Sequence, residues 1–259
     1  MTATPARDRR AAEPAACPPE GCPGCPFAAA GGGHVDQLTV AREYDRWLAG
    51  RDLRARHMRF LMSVPGAVLV NTPALLLGDV LGLRPHHRLL DLGCGRAAVA
   101  RILAARVPLE TPPIGIDLSR VMLALARADQ AGRPPNAAEL VRGSVVELPL
   151  RDNSVDAAVA AHVIKHLPDP ELHAFFREVA RVLKPGGRFV LWEFRRTGSR
   201  SADAVHRRLL GSRVQHMKLR SFGEIVALSV ETGFSRIQLL KRQPFLYPPI
   251  PRVAVLYEK

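Results

Sequence analysis

The feature that most constrains the fold of this 259-residue chain is an alternation of buried strands with amphipathic helices, which begins near residue 89. Seven apolar runs predict strands, over residues 89–92, 114–117, 140–141, 155–161, 188–194, 234–241 and 252–257. Helical spacing fills most of the intervals between them. Strands that alternate with helices favour a mostly parallel sheet covered on both faces, so we expect a seven-stranded α/β fold.

Several residues carry signals for the ends of these helices. Ser119 and Asp169 are predicted N-caps for helices over 120–128 and 170–182, and Ser221 opens a capping box. Gly233 is the predicted C′ residue of the helix that follows Ser221. The Lys-Pro-Gly-Gly run at 184–187 is predicted to end the preceding helix and lead into the strand over 188–194.

The chain before the alternating region divides into two parts. Residues 1–33 are rich in Ala, Pro, Gly and Arg without periodicity, which indicates a disordered tail. Residues 34–83 show helical spacing, as at Val40, Tyr44 and Trp47, and are predicted to form a helical cover over the domain of residues 84–259. The most apolar stretch, residues 60–83, is interrupted by Pro and Gly, so we expect packed short helices and no membrane span.

The turn after the first strand is predicted to bind a nucleoside. It reads Leu-Leu-Asp-Leu-Gly-Cys-Gly over residues 89–95, and Gly93 and Gly95 allow the backbone to approach a ligand closely. Asp117 ends the next strand, where a carboxylate can accept both ribose hydroxyls. The spacing also fits a loose dinucleotide fingerprint. Asp91 disfavours a pyrophosphate, however, and favours a ligand with an ammonium group and no phosphate, as in S-adenosylmethionine.

Four blocks of the sequence together resemble a class I S-adenosylmethionine-dependent methyltransferase. They are LLDLGCGRAAVA, IGIDLS, RGSVVELPLRDNSVDAAVA and REVARVLKPGGRFVLWEF, in the order and at the spacing of that family. The last block is most similar to small-molecule methyltransferases, including those of ubiquinone and menaquinone biosynthesis. The resemblance implies a Rossmann-like sheet, S-adenosylmethionine as cofactor and methyl transfer to an oxygen or carbon atom of a small, apolar acceptor.

The resemblance also assigns roles to individual residues. The methionine part of the cofactor would lie against the first motif, the ribose against Asp117, and the adenine against Leu118 and the pair that follows the third strand. The residues assigned to cofactor binding are Asp91, Gly93, Cys94, Gly95, Asp117, Leu118, Ser144, Val145 and Ala161. No metal ion is assigned to the site.

Two positions depart from the family pattern. Ala97 stands where the family usually has a third glycine, and we expect alanine to serve there with a negative φ. Ser144 replaces the usual aspartate, so its hydroxyl can accept a hydrogen bond from the adenine amino group only without charge. These departures leave open a non-catalytic protein that binds S-adenosylmethionine or a metal.

Two histidines follow the fourth strand and are candidates for a general base. His162 and His166 are four residues apart, which puts them on one face if the segment is helical. His166 resembles a histidine that is common in the family at this turn, where it is often structural. His57, in the predicted cover, is a third candidate. Packing and hydrogen bonding at the sheet edge is the alternative role for His162 and His166.

The segment between Arg195 and Arg220 is strongly basic within a chain of net charge +13. It carries seven Arg and one Lys against one Asp, a net charge of +7. It could bind an anionic acceptor, RNA phosphates or an acidic membrane, or be a solvated helix face. Methylation of RNA or protein is therefore the alternative function, although no RNA-binding signature is present and nucleic acid is not the expected partner.

Three cysteines in the tail form a C-x4-C-x2-C pattern. Cys17, Cys22 and Cys25 could bind zinc together with His34, or hold an iron–sulfur cluster, but a fourth ligand is conjectural. Four cysteines in the whole chain exclude a disulfide scaffold. The absence of a secretory signal and the expectation of free thiols predict a cytoplasmic location.

Overall fold

The structure of the chain is a computed structural model that describes residues 37–132, 134–210, 217–240 and 250–259. Its α-helices are α1 Gln37–Ala49, α2 Leu53–Leu61, α3 Val64–Val70, α4 Leu77–Leu81, α5 Ala98–Arg106, α6 Arg120–Asp129, α7 Asp169–Val182, α8 Arg200–Leu210 and α9 Phe222–Ser229. Its strands are β1 Leu89–Leu92, β2 Ile114–Asp117, β3 Glu139–Arg142, β4 Val155–Ala161, β5 Leu183–Phe194, β6 Arg236–Leu239 and β7 Arg252–Glu258. Short 3₁₀ helices span Thr72–Leu75 and Ile164–His166.

The strands form one seven-stranded sheet in the order β3-β2-β1-β4-β5-β7-β6. Strands β1 to β5 pair in parallel, and β7 lies antiparallel between β5 and β6. The strand order reverses between β1 and β4, and ligands of such sheets bind beside the carboxyl ends of the strands at this point. The predicted mostly parallel, Rossmann-like α/β sheet is confirmed.

Two apolar clusters cover the two faces of the sheet. On one face α7 and α9 pack on the sheet through residues such as Phe175, Phe176 and Ile225. On the other face α4 and α5 pack through residues such as Leu81, Ile102 and Leu103. The central strands are buried on both sides, which explains why β1 and β4 read as nearly continuous apolar runs.

Three predicted helix ends were wrong. The structure begins α7 at Asp169 after Pro168 and gives Asp169 no capping hydrogen bond, because its carboxylate pairs with Arg220 and Lys218 instead. The run at 184–187 belongs to β5, which already pairs with β4 at Leu183. Helix α9 has the predicted capping box, but it ends at Ser229, four residues before Gly233.

The apolar stretch over residues 60–83 forms short helices, as predicted. Helix α2 ends at Leu61, and Pro65 lies in the first turn of α3, where a missing N–H costs nothing. No helix within the described residues combines the length and apolar character that crossing a bilayer would demand. The predicted tail, residues 1–33, lies outside the described residues.

Candidate functional site

A cavity of about 850 Å³ lies beside the switch in strand order and beneath the first helices. It is lined by residues from the ends of β1, β2 and β4, from α1 to α3, and from α8. Among the predicted site residues, those that line it are Asp91, Gly93, Cys94, Gly95, Asp117, Leu118, Val145, Ala161, His162 and His166. The fold therefore brings both predicted histidines and all the predicted cofactor residues except Ser144 to the wall of one cavity.

The glycine turn has a left-handed backbone that explains its composition. Gly93 and Gly95 have φ of 63° and 53°, a region that other residues enter only with strain. A Cβ atom at Gly93 would lie 2.4 Å from the side chain of Val163, so glycine is also required there by space. A Cβ atom at Gly95 would lie 3.7 Å from the sulfur of Met122, on the wall of the cavity.

Asp91 is a buried carboxylate at the start of this turn. One of its oxygens accepts the backbone N–H of Ala100, at 3.1 Å, in the first turn of α5. It thereby satisfies one of the free donors of that helix, whose own N-cap residue, Ala97, has no capping side chain. Burial raises the pKa of Asp91 to about 7, and the charge of Asp117 acts in the same direction.

Asp117 holds the end of β2 to the glycine turn. Its Oδ2 accepts the N–H of Gly95 and its Oδ1 accepts the N–H of Ser119, each at 2.8 Å. Burial raises the pKa of Asp117 although these backbone donors lower it. Two desolvated carboxylates on one cavity wall can accept hydrogen bonds from a ligand with ammonium and hydroxyl groups, so they fit S-adenosylmethionine.

The two departures from the family pattern have different outcomes. Ala97 has φ of 55°, so the expectation of a negative φ was wrong: the turn imposes a left-handed conformation and alanine carries its strain, about 1 kcal/mol. Ser144 lies between two lining residues, and its hydroxyl donates to Oε1 of Gln37 at 2.8 Å and accepts the N–H of Val146 at 3.2 Å. Its predicted contact with adenine stays a prediction.

His162 is held by a buried hydrogen-bond chain. Trp192, which can only donate, gives its Nε1–H to Oδ1 of Asn71 at 2.9 Å, and Nε2 of His162 lies 3.0 Å from the same oxygen. Nε2 therefore carries a hydrogen, and Nδ1 is left facing Oε1 of Glu193 at 3.4 Å. Burial lowers the pKa of His162 to about 4, so its ring is neutral near pH 7.

Glu193 is a buried carboxylate that organises the same region. It accepts the backbone N–H groups of Lys165 and Phe194, and Nζ of Lys165 lies 3.7 Å from Oε1. Although burial would raise the pKa of Glu193, the charge of Lys165 lowers it to about 2. Lys165 also donates to the carbonyl of His162. Both charges of this pair are therefore compensated inside the protein.

His166 lies in the 3₁₀ turn after β4 and contacts the cover. Its Nε2 lies 3.0 Å from the hydroxyl of Tyr44, and the two rings meet edge to face. The four-residue spacing to His162 does not form one helical face, because His162 has φ of 60° at the end of the strand. The turn is fixed by the buried Arg220, which donates to the carbonyls of Ile164 and Leu167.

Helix α1 closes the cavity through polar contacts along one side. Asp45 accepts the hydroxyl hydrogen of Ser119 and the N–H of Val121, and this N–H is one of the free backbone donors at the start of α6. Tyr44 and Trp47 line the cavity, so these residues both pack in the cover and face the site. His57, the third histidine candidate, lines the cavity from α2.

Several residues of the site were missed by sequence reasoning. Sequence analysis assigned no role to three residues that line the cavity, Asn71, Arg96 and Lys165. It also assigned none to Glu193, which accepts the backbone N–H of Lys165 behind the cavity wall. A lone polar residue inside an apolar run was an available signal for Asn71 and for Glu193. Arg96 forms a paired contact with Asp129, which no local pattern indicates.

The structure describes part of the basic segment but none of the cysteine tail. Arg220 is buried against Asp169 and Arg196 pairs with Glu224, so neither belongs to an unengaged basic face. Cys17, Cys22, Cys25 and His34 lie outside the described residues. Within the part of the chain that is described, no group of three or more His, Cys, Asp or Glu residues could hold a metal ion.

Comparison with known proteins agrees with this geometry. Residues 90–191 match the family model described as a methyltransferase domain. A 24-methylenesterol C-methyltransferase 2 from Oryza sativa subsp. japonica is 34% identical over 179 residues, which cover 67% of this chain and 47% of the relative. A demethylmenaquinone methyltransferase from Bacillus cereus (strain AH187) is 30% identical over 114 residues, 44% of this chain and 47% of the relative.

Solved structures show the same fold. An S-adenosylmethionine-dependent methyltransferase from Thermotoga maritima superposes with a TM-score of 0.57 at 20% identity, over 85% of this chain and 99% of the other. A Haloferax volcanii putative methyltransferase, solved with its Trm112 activator, gives 0.62 at 20% identity, over 83% and 97%. The chain spans about half the length of the two curated relatives above. Fold, glycine turn and the matched family model together place a methyltransferase domain at residues 90–191.

Proposed function

We propose that this protein transfers a methyl group from S-adenosylmethionine to a carbon or oxygen atom of a small, apolar acceptor. The observation that carries the proposal is that Asp91 and Asp117 line the same cavity as an apolar compartment under the first helices. The names of the curated relatives, a sterol C-methyltransferase and a demethylmenaquinone methyltransferase, support an apolar acceptor and, for the first, a carbon nucleophile.

The cofactor would be held by residues around the glycine turn. We assign the ammonium to Asp91, the ribose hydroxyls to Asp117, and the adenine to the neighbourhood of Leu118, Ser144 and Val145. Cys94, Gly93 and Gly95 supply the close backbone wall, and Ala161 lies at the methyl end. When bound, S-adenosylmethionine supplies an electrophilic methyl group on a positively charged sulfur.

The protein contributes to the reaction by holding the acceptor atom next to the methyl group in a site that excludes water. The acceptor would lie between the aromatic and aliphatic side chains of the cover and the end of β4. Burial raises the pKa of Tyr44, so its hydroxyl stays neutral and donates to or accepts from His166. We assign to His166 the removal of a proton from the acceptor, and to His162, with its low pKa, a supporting role in the Asn71 chain.

The domain assignment and the location are further parts of the proposal. We assign residues 34–83 to a cover, residues 84–259 to the methyltransferase domain and the whole protein to the cytoplasm. The lining residues contributed by α1, α2 and α3 support the cover. Methylation of RNA or protein is the weaker candidate, because Arg196 and Arg220 of the basic segment are engaged in ion pairs.

Calorimetry with S-adenosylhomocysteine and with NADH tests the cofactor. We expect S-adenosylhomocysteine to bind and NADH, which carries a pyrophosphate, to show no heat. A preference for NADH would overturn the assignment of both carboxylates. Transfer of a labelled methyl group to a lipid extract, compared with transfer to RNA and to protein, then separates the small-molecule reaction from its alternatives. Binding without transfer to any of the three would indicate a non-catalytic protein.

A further inference from the structure

The part of the cavity beneath the first helices, which we call the acceptor end, has a mainly apolar wall. Helices α1, α2 and α3 and the end of β5 contribute Val40, Leu53, Met58, Leu61, Val70 and Phe194. This end would bury an aliphatic or aromatic body, and each buried methylene would contribute to binding through removal of apolar surface from water. The wall by itself does not distinguish a neutral acceptor from an amphipathic one.

Most charges on the cavity wall are already compensated. Among the described lining residues the carboxylates are Asp91 and Asp117, and both belong to the cofactor end. Lys165 lies beside the buried Glu193, and Arg96 forms two short hydrogen bonds with Asp129. These cations are therefore committed to the protein and leave little charge for a ligand.

Two arginines differ from this pattern. Arg54 of α2 and Arg208 of α8 both line the cavity and both have exposed side chains. Within residues 37–132, 134–210, 217–240 and 250–259, neither guanidinium has a carboxylate partner or a hydrogen bond. An arginine presents a planar set of donors that matches the oxygens of a phosphate or carboxylate in pairs.

We propose that the acceptor is an amphipathic anion, with an apolar body and a phosphate or carboxylate head group bound by Arg54 and Arg208. This inference rests on the proposed methyl transfer and narrows its substrate class. The cofactor is itself cationic, so a second cationic region in the same cavity repels protonated amines and attracts an anion. The head group would also fix which end of the body points toward the glycine turn.

Binding of three matched ten-carbon probes tests the inference. n-Decyl phosphate, decanoate and n-decanol, each below its micelle concentration, are titrated into the full chain saturated with S-adenosylhomocysteine. We expect the protein to bind decyl phosphate or decanoate at least tenfold more tightly than decanol, since hydrogen bonds to charged groups are the stronger ones. The affinities for decyl phosphate and decanoate, compared with each other, show whether the site prefers a phosphate or a carboxylate head group.

Variants locate the effect. Arg54→Gln and Arg208→Gln should each weaken binding of the preferred anion roughly tenfold and leave decanol unchanged. Arg56→Gln on α2 and Arg200→Gln on α8 are matched controls, because both arginines are exposed and neither is among the lining residues. Equal binding of decanol and both anions, or equal losses in the controls, would overturn the inference. If the protein without substitutions does not bind S-adenosylhomocysteine, the proposed function is overturned instead.

Discussion

The two ends of the cavity are built in different ways. The cofactor end consists of turns that directly follow β1 and β2, and its hydrogen bonds join residues close to strand ends, as between Asp117 and Ser119. The acceptor end is assembled from separate helices and long-range pairs, such as Tyr44 with His166 and Asn71 with Trp192. The residues assigned to the cofactor are thus positioned mainly by local structure, and those assigned to the acceptor by tertiary structure.

The largest expected effect is a loss of cofactor affinity from a substitution at the cofactor end alone. Asp117→Ala removes the acceptor for the ribose hydroxyls and for the N–H of Gly95, so the dissociation constant for S-adenosylhomocysteine should rise roughly 100-fold or more. Calorimetry measures this rise. Asp117→Asn keeps one carbonyl acceptor and should lose less. An unchanged constant in the alanine variant would remove the ribose assignment.

The next effect tests how far the hydrogen bonds between Asn71 and the sheet stabilise the acceptor end. Asn71→Ala leaves two buried donors, Nε1 of Trp192 and Nε2 of His162, without their shared acceptor, and should lower the free energy of unfolding by about 3 kcal/mol. Urea denaturation measures the loss. Thr72→Val is the control, because that hydroxyl donates only to carbonyls of the preceding helix α3 and its loss should cost less than about 1 kcal/mol.

In the same Asn71→Ala variant, the affinity for S-adenosylhomocysteine should stay within about threefold of the original, because the lost bonds lie outside the glycine turn. A large loss of cofactor affinity would show that the free energies of the two ends are coupled. A loss of stability no greater than that of Thr72→Val would contradict the hydrogen-bond chain around His162.

The smallest effect is a pH dependence confined to the cofactor end. The pKa of Asp91 is raised to about 7 by burial, so below pH 7 the ligand-free site holds a proton that an ammonium must displace. Affinity for S-adenosylhomocysteine should therefore increase as pH rises, by about tenfold between pH 6 and pH 8, and then level off. Asp91→Asn should bind weakly with no such dependence, and the same slope in that variant would contradict the assignment.

The cofactor end could be predicted from the sequence because its information is local. Gly93 and Gly95 follow one recognisable strand and Asp117 ends the next, and β1, β2 and β4 were predicted with the bounds that the structure gives. The left-handed φ of Ala97 was not predicted, because residue type favours a negative φ and the geometry of the turn prevails over that preference.

The acceptor end could not be predicted because its contacts join distant positions. Asp169, just outside the cavity, is the clearest case. Its position before Pro170 predicts a cap, but its carboxylate instead binds Arg220, 51 positions away, which fixes the turn that carries His166. Glu193 reads as one polar residue in an apolar strand until Lys165 and His162 are placed around it. Arg54 and Arg208 are two of many arginines in the chain, and only their position on the cavity wall sets them apart.

The polar contacts of α1 have a kinetic consequence. Gln37, Tyr44 and Asp45 together form hydrogen bonds with three different loops, so lifting this helix requires several bonds to break in one event. At about 1 kcal/mol each, they favour the shut arrangement by a few kcal/mol. If exchange of spent for fresh cofactor requires α1 to move away, these bonds must break in every catalytic cycle, and weakening them should speed release of S-adenosylhomocysteine.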